Sequence, residues 1–392
     1  MREIYADHAS TTAPAPEVVR AMEPFFGGRF GNPSSVHRRG EAAREALTEA
    51  RRRVADLIGA IPEEIVFTAS GSEANNLALK GLLAGSTAER RRLVVSAIEH
   101  PSVLETARHL ESRGVPLTIV SVDGSGVVDP ERVRAAMGPD VALVSLMLAN
   151  NETGMIQPVA EAARLAHACG ARIHTDAVQA VGKLPVDVGT LDVDLLSLAG
   201  HKFHGPLGAA ALWMRRRTRP APQITGGHQE RSRRAGTEAL PLLVGLGCAA
   251  ARAQARIDSE GSRVRVLASA LADGLRARIA GTVLHGADQP RVPGIVNVRF
   301  EGVDGEAVLH ELDRHGITVS TGSACSAASP GPSHVLVAMG LSPEQAHASV
   351  RFSLGGENGP EDVEQILSVV PGIVERLRAL GAREPVARAA NG

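Results

Sequence analysis

From residue 17 to residue 212, helical patterns alternate with short apolar runs. That alternation constrains the fold more than any single motif. A strand that returns through a helix lies parallel to the strand it left, so the pattern predicts an α/β fold with a mostly parallel sheet wrapped by helices. Residues 242–280 read as one long helix leading to a smaller α+β domain, in which 294–300 and 317–320 read as strands. Residues 361–380 read as a closing helix, broken or kinked at Pro371. The predicted organisation is an N-terminal arm (1–15) packing on the small domain, a large domain (16–255), a small C-terminal domain (256–380) and a polar tail (381–392). A chain of 392 residues, 44% of them apolar, is long enough to give both domains a core.

One of the apolar runs ends in Gly200-His201-Lys202, and another, upstream, ends in Asp176 with Gln179 just beyond it. A lysine at a strand end is more often a solvated charge, and an aspartate there a turn residue. Together on neighbouring strand ends they suit an aldehyde cofactor with a ring nitrogen. The lysine forms a Schiff base and the aspartate pairs with the pyridinium, which points to pyridoxal phosphate.

Three further features bear on this reading. Residues 64–69 read as a strand, Ser70-Gly71-Ser72 as a tight turn and 73–80 as a helix, so backbone N–H groups and a positive helix end would face an anion. Ser72 is there either the N-cap or a direct phosphate ligand. His100 stands where the run 93–98 meets a helix opened by Pro101, either as an ordinary polar loop histidine or flat against a cofactor ring. Cys325 lies in 320–332, a run of small residues almost without apolar anchors, which predicts a mobile, exposed loop. A free cysteine normally prefers burial, so one on a wet loop marks a nucleophile. Cys169 and Cys248 fall in helix-like segments and read as small core residues.

Carried in order along nearly the whole chain, these pieces give it a family resemblance. Asp7-His8-Ala9-Ser10-Thr11-Thr12, Gly31-Asn32-Pro33, the 70–76 cradle, Glu99-His100, Asn150-Asn151-Glu152-Thr153-Gly154, Asp176 with Gln179, Gly200-His201-Lys202, Arg234-Ala235-Gly236-Thr237, Gly322-Ser323-Ala324-Cys325 and Arg351 are the matching motifs. The chain resembles the pyridoxal phosphate-dependent cysteine desulfurases of the class V aminotransferase superfamily, on the NifS/IscS side.

The resemblance implies the fold type I architecture of such transferases, with a seven-stranded, mostly parallel sheet in the large domain. It implies conversion of L-cysteine to L-alanine, with sulfur transferred to Cys325 as a persulfide. Lys202 resembles the Schiff-base lysine that also moves the Cα proton, Asp176 the partner of the ring nitrogen, and Gln179 the donor to the ring phenolate oxygen. His100 resembles the ring-stacking residue and an acid/base. Gly71, Ser72 and His201 resemble phosphate ligands, and Thr237 one that reaches the phosphate of a neighbouring subunit, which implies a homodimer. Asn151 and Arg351 resemble a clamp on the substrate carboxylate. A sulfur-acceptor protein is implied as partner, in iron–sulfur cluster assembly or another sulfur-delivery route. The Gly-Ser-Ala-Cys form on a long loop implies persulfide delivery over a distance. A selenocysteine lyase and a class V transaminase share much of this pattern, but a transaminase has no use for Cys325.

One position departs from the family. The residue before Gly200-His201-Lys202 is usually a small hydroxyl residue that binds the phosphate, and here it is Ala199. Losing one hydrogen bond predicts weaker cofactor retention, by about 1 kcal/mol.

Composition narrows the remaining classes. A net charge of −1 gives nucleic-acid binding no overall electrostatic support. The absence of a long apolar stretch argues against a membrane span, and residues 1–7 lack an apolar signal core. Three cysteines without a framework suit a reducing cytoplasm. His201 and His204 have ligand-like spacing but no third ligand, so no metal is expected. The arginine triplets at 51–53, 90–92 and 215–217 read as solvated faces.

Overall fold

The computed structural model describes residues 2–321 and 331–381. Its strands are β1 (Ile4–Tyr5), β2 (Ile65–Thr68), β3 (Arg92–Ser96), β4 (Leu117–Val120), β5 (Val141–Ser145), β6 (Arg172–Asp176), β7 (Leu195–Ala199), β8 (Ala210–Met214), β9 (Thr282–Leu284), β10 (Ile295–Phe300), β11 (Ile317–Thr318) and β12 (Ser349–Ser353). Seven of them form one sheet in the order β2-β8-β7-β6-β5-β3-β4. Strands β3 to β7 run parallel to one another. Strand β8 is antiparallel to both β7 and β2. The mostly parallel sheet expected from the sequence pattern is present, with the seven strands that the family resemblance implies. Strands β5 and β7 are buried along their whole length, as a sheet covered by helices on both faces requires.

A second sheet, β12-β10-β9, is antiparallel, and β1 pairs in parallel with β11. Ile4 and Ala6 share a hydrophobic cluster with Val296, Phe300, Ile317 and Phe352. The helix Leu240–Arg278 joins the two cores. Its early residues Leu243, Leu246 and Ala250 pack with the large sheet, and its later Val264, Leu271 and Leu275 pack with the second cluster.

Two expectations need correction. The closing helix Pro360–Gly381 is continuous through Pro371, so the break that was one of the two outcomes expected there is absent. Proline cannot donate to the carbonyl four residues back, Leu367 O. Here Arg278 Nη1 donates to that oxygen instead, at 2.8 Å. The first arginine triplet is not a solvated face throughout. Arg51 is buried and forms a two-pronged ion pair with Glu230, whereas Arg52 and Arg53 pair with Glu49 near the surface.

Candidate active site

Strand β7 ends at Ala199, and a single 3₁₀ turn, Gly200–Lys202, follows. A Cβ on Gly200 would stand 2.9 Å from Leu246 Cδ1 and 3.1 Å from Ala209 O, so only glycine lets the chain turn so close to the packed helix. Lys202 Nζ donates to the carbonyls of Ala9 (2.7 Å) and Ser10 (2.6 Å). The N-terminal segment therefore closes over the lysine. Asp176 ends the adjacent strand β6, where it pairs in register with Ser197. It is buried, with Oδ1 accepting from Val178 N–H (3.0 Å) and Oδ2 from Asn75 Nδ2 (2.7 Å).

The helix Gly71–Ala84 begins directly beyond β2. Ser70, in extended backbone, is its N-cap and accepts from Glu73 N–H. Of the two readings of Ser72, the cap is therefore ruled out. Ser72 sits within the first turn, exposed, with its hydroxyl not engaged in capping. Gly71 already has helical position, and a Cβ there would meet Val178 Cγ2 at 2.9 Å. Free N–H groups at the start of this helix, with no side chain over Gly71, leave space for an anion. His201 lies beside it, its Nδ1 3.1 Å from Thr11 Oγ1. Burial, then Lys202 and Lys183, push its pKa down to about 4, so it is neutral at pH 7.

At the other end stand Asn151 and Arg351. Arg351 is 2% exposed. Its Nη2 pairs with Asp7 Oδ1 (2.7 Å) and Ser10 Oγ (2.8 Å), and its Nη1 donates to Asn151 O (2.8 Å). Its Nε is buried and has no partner among the described residues, a donor left over for a carboxylate. His100 caps the helix Pro101–Ser112 with Nδ1. Burial lowers its pKa, and this outweighs the opposing pull of Asp176.

Ser72, Gly71, His100, Asn151, Asp176, Gln179, Ala199, His201, Lys202 and Arg351 thus line one cleft of about 260 Å³. Thr237 does not reach it within a single chain and is exposed. Cys325 lies outside the described residues. The sequence reading missed Asn75 and Ser102, which also line the cleft, and Lys183, which holds Gln179 from behind. Their spacing was a usable signal: Asn75 follows Gly71 by one helical turn, Ser102 follows His100 by two residues, and Lys183 follows Gln179 by four.

The donor set fits pyridoxal phosphate: an anion cradle at one end, a buried carboxylate for a ring nitrogen, an amine for an aldehyde and a leftover guanidinium donor for a substrate carboxylate. The α/β fold brings these groups together in one cleft with the chemistry a phosphorylated aldehyde would need. The chain belongs to the aminotransferase class-V family, whose model matches residues 4–366. It is 46% identical over 382 residues to the cysteine desulfurase of Gluconacetobacter diazotrophicus, covering 97% of this chain and 95% of that one. It is 43% identical over 379 residues to the cysteine desulfurase IscS of Dictyoglomus turgidum, covering 97% and 96%. Among solved structures, a NifS-like protein matches with a TM-score of 0.91 at 34% identity, covering 96% of this chain and 100% of that one. No helix among the described residues is long and apolar enough to cross a membrane.

Proposed function

We propose that this chain is a pyridoxal phosphate-dependent cysteine desulfurase that converts L-cysteine to L-alanine and leaves the sulfur on Cys325 as a persulfide. The observation that carries the reading is the convergence of Lys202, Asp176 and Arg351 on one cleft that starts at a helix N-terminus. Pyridoxal phosphate supplies an electron sink for the bonds at the substrate α-carbon. Lys202 holds the cofactor and carries the Cα proton at Nζ. Asp176 keeps a proton on the ring nitrogen, and Gln179 Nε2 donates to the ring oxygen. Gly71 and Ser72, with His201, bind the phosphate. Asn151 and Arg351 orient the substrate carboxylate and so aim the reacting bonds.

The Cys325 thiolate attacks the substrate sulfur. A Cys325 S–S bond forms and the substrate C–S bond breaks, so that cysteine plus a thiol becomes alanine plus a persulfide. Thr237, exposed in one chain, serves the phosphate of a partner subunit in a homodimer. The persulfide passes to an acceptor protein, with iron–sulfur cluster assembly as one destination, in a reducing cytoplasm.

The test is incubation of cofactor-loaded protein with L-cysteine, measuring alanine and protein-bound persulfide, alongside Cys325→Ala. Both products in the wild type and neither in the variant is the expected result. Alanine that persists in the variant indicates direct lyase chemistry, of the kind a selenocysteine lyase performs. No alanine at all from protein with bound cofactor overturns the proposal and favours a transaminase or a cofactor-binding scaffold with little turnover.

A further inference from the structure

We infer that Asn75 and Ser102 are positioning residues that lock His100 into a single tautomer, so that the ring offers the cleft an Nε2–H donor and no acceptor. The inference rests on the proposed function only in taking this cleft as the place of reaction.

The Asp176 carboxylate accepts hydrogen bonds. Asn75 Nδ2 lies 2.7 Å from Asp176 Oδ2. The opposite orientation of the amide would set Oδ1 against a carboxylate oxygen. The same Nδ2 lies 2.8 Å from Ser102 Oγ. Both amide hydrogens are then engaged, one on each oxygen. Asn75 Oδ1 is buried without a partner among the described residues, so the two N–H contacts alone decide which way the amide faces.

Ser102 Oγ accepts from Asn75 and has one hydrogen of its own. His100 Nδ1 stands 2.8 Å from it and is where that hydrogen goes. Ser102 also aims its backbone N–H at Nδ1, at 3.1 Å. Pro101 has no N–H, so Ser102 supplies the first donor of the helix Pro101–Ser112. With two donors directed at it, Nδ1 carries no proton. A neutral imidazole with a bare Nδ1 carries its hydrogen on Nε2. Burial of His100 favours that neutral ring, and Lys202 adds to the effect.

The hydrogen-bonded chain links two lining residues of the same cleft, from the strand-end carboxylate that would meet the cofactor ring nitrogen to His100. Its two links sit near the starts of two different helices, Asn75 one turn into Gly71–Ala84 and Ser102 in the first turn of Pro101–Ser112. A substrate or cofactor atom facing His100 must therefore be an acceptor. A thiolate sulfur or an anionic oxygen fits this requirement, and a protonated thiol seeking an acceptor does not.

The test is ¹⁵N NMR of histidine-labelled, cofactor-loaded full-length protein, comparing wild type with Ser102→Ala, Ser102→Thr and Asn75→Ala. The ring-nitrogen shifts distinguish the two tautomers directly and do not depend on turnover. The expected wild-type signal is a protonated Nε2 and a hydrogen-bonded, unprotonated Nδ1. Ser102→Ala removes one of the two donors and moves the tautomer ratio toward Nδ1–H by about five-fold. Ser102→Thr keeps the hydroxyl and restores the wild-type spectrum, which a merely structural role would not predict.

A wild-type proton on Nδ1, or shifts unchanged in Ser102→Ala, overturns the inference. The two failures are separable. Protein with the expected spectrum that forms no alanine from L-cysteine sinks the proposed function alone. Alanine formation with His100 protonated on Nδ1 sinks only the tautomer lock.

Discussion

Lys183 Nζ lies 2.8 Å from Gln179 Oε1 and so turns the amide nitrogen of Gln179 toward the Ala9 carbonyl, at 2.7 Å. The same carbonyl accepts from Lys202 Nζ, also at 2.7 Å, which joins the two lysines through one glutamine and one backbone oxygen. Burial, with Lys202 and Arg351 nearby, pushes the Lys183 pKa from its ordinary 10.5 down to about 7. A base whose pKa falls on folding binds fewer protons when folded, so its contribution to stability rises with pH between about 7 and 10.5. Lys183→Met abolishes this titration. The variant is expected to melt above the wild type at pH 7, with the difference closing toward pH 10. Thermal melts of apo-protein across that range check it, and a gap that stays constant with pH would refute the assignment.

Glu99 carries the opposite sign. Burial raises its pKa to about 8, although Ser96 Oγ (2.6 Å) and Met147 N–H (2.8 Å) both donate to Oε1. An acid whose pKa rises on folding binds more protons when folded, so stability is lost as pH climbs from about 4.5 through about 8. Glu99→Gln keeps the accepting Oε1 and removes the titration. Between those pH values the two proteins should diverge by at most about 1.4 kcal/mol per pH unit, in favour of the variant as pH rises. Urea titrations at pH 5, 7 and 8.5 measure the slope.

Ala199 is the last residue of β7 and lines the cleft. A Cβ built on Gly71 would lie 3.7 Å from Ala199 Cβ, so residue 199 faces the anion cradle. Ala199→Ser adds one hydroxyl there. One hydrogen bond of about 1 kcal/mol corresponds to roughly five-fold slower loss of pyridoxal phosphate. Cofactor absorbance followed during dialysis gives the comparison. Unchanged retention would mean that the new hydroxyl caps the Gly200–Lys202 turn instead of meeting the phosphate.

Asp176 and Lys202 were legible in the sequence because each closes a local apolar run, and strand ends are local features. The two cradle serines were less so. Ser70 and Ser72 look alike in sequence, and only the extended backbone of Ser70 (φ −161°, ψ 161°) makes it the cap. Asn75 stayed hidden because the carboxylate it organises is remote in sequence, and Lys183 because its neighbour Gln179 in turn serves a remote oxygen. Asp176 lies 101 residues from Asn75, and Gln179 reaches an oxygen 170 residues away. Pro371 read as a break because the substitute donor, Arg278, lies 89 residues from the carbonyl it serves. Arg51 read as surface because its two arginine neighbours are surface, while its own partner is 179 residues on.

That partner, Glu230, gives the largest expected stability effect. Arg51 and Glu230 make a two-pronged pair at 2.7 and 2.6 Å, with side-chain exposures of only 8% and 2%. Arg51 also donates to Ile65 O at 2.9 Å and stacks over Phe67, while Glu230 Oε2 accepts from Phe67 N–H at 2.9 Å. The pair therefore fixes the segment around Glu230 to strand β2, just ahead of the anion cradle. That segment needs fixing, because Glu230, Arg231 and Ser232 all have positive φ (47°, 57° and 61°), a conformation unfavourable for residues with a side chain. Glu230→Ala leaves the Arg51 guanidinium buried without its counter-ion and should cost about 3–5 kcal/mol. Arg51→Met combined with Glu230→Ala should recover part of that loss, since no unpaired charge remains. The same segment runs on to Arg234, which pairs with Glu73 of the cradle helix at 2.8 Å, and to Thr237. Glu230→Ala should accordingly weaken pyridoxal phosphate retention as well as lower the melting temperature. A variant that loses stability but retains cofactor like the wild type would show that the ion pair serves the fold alone.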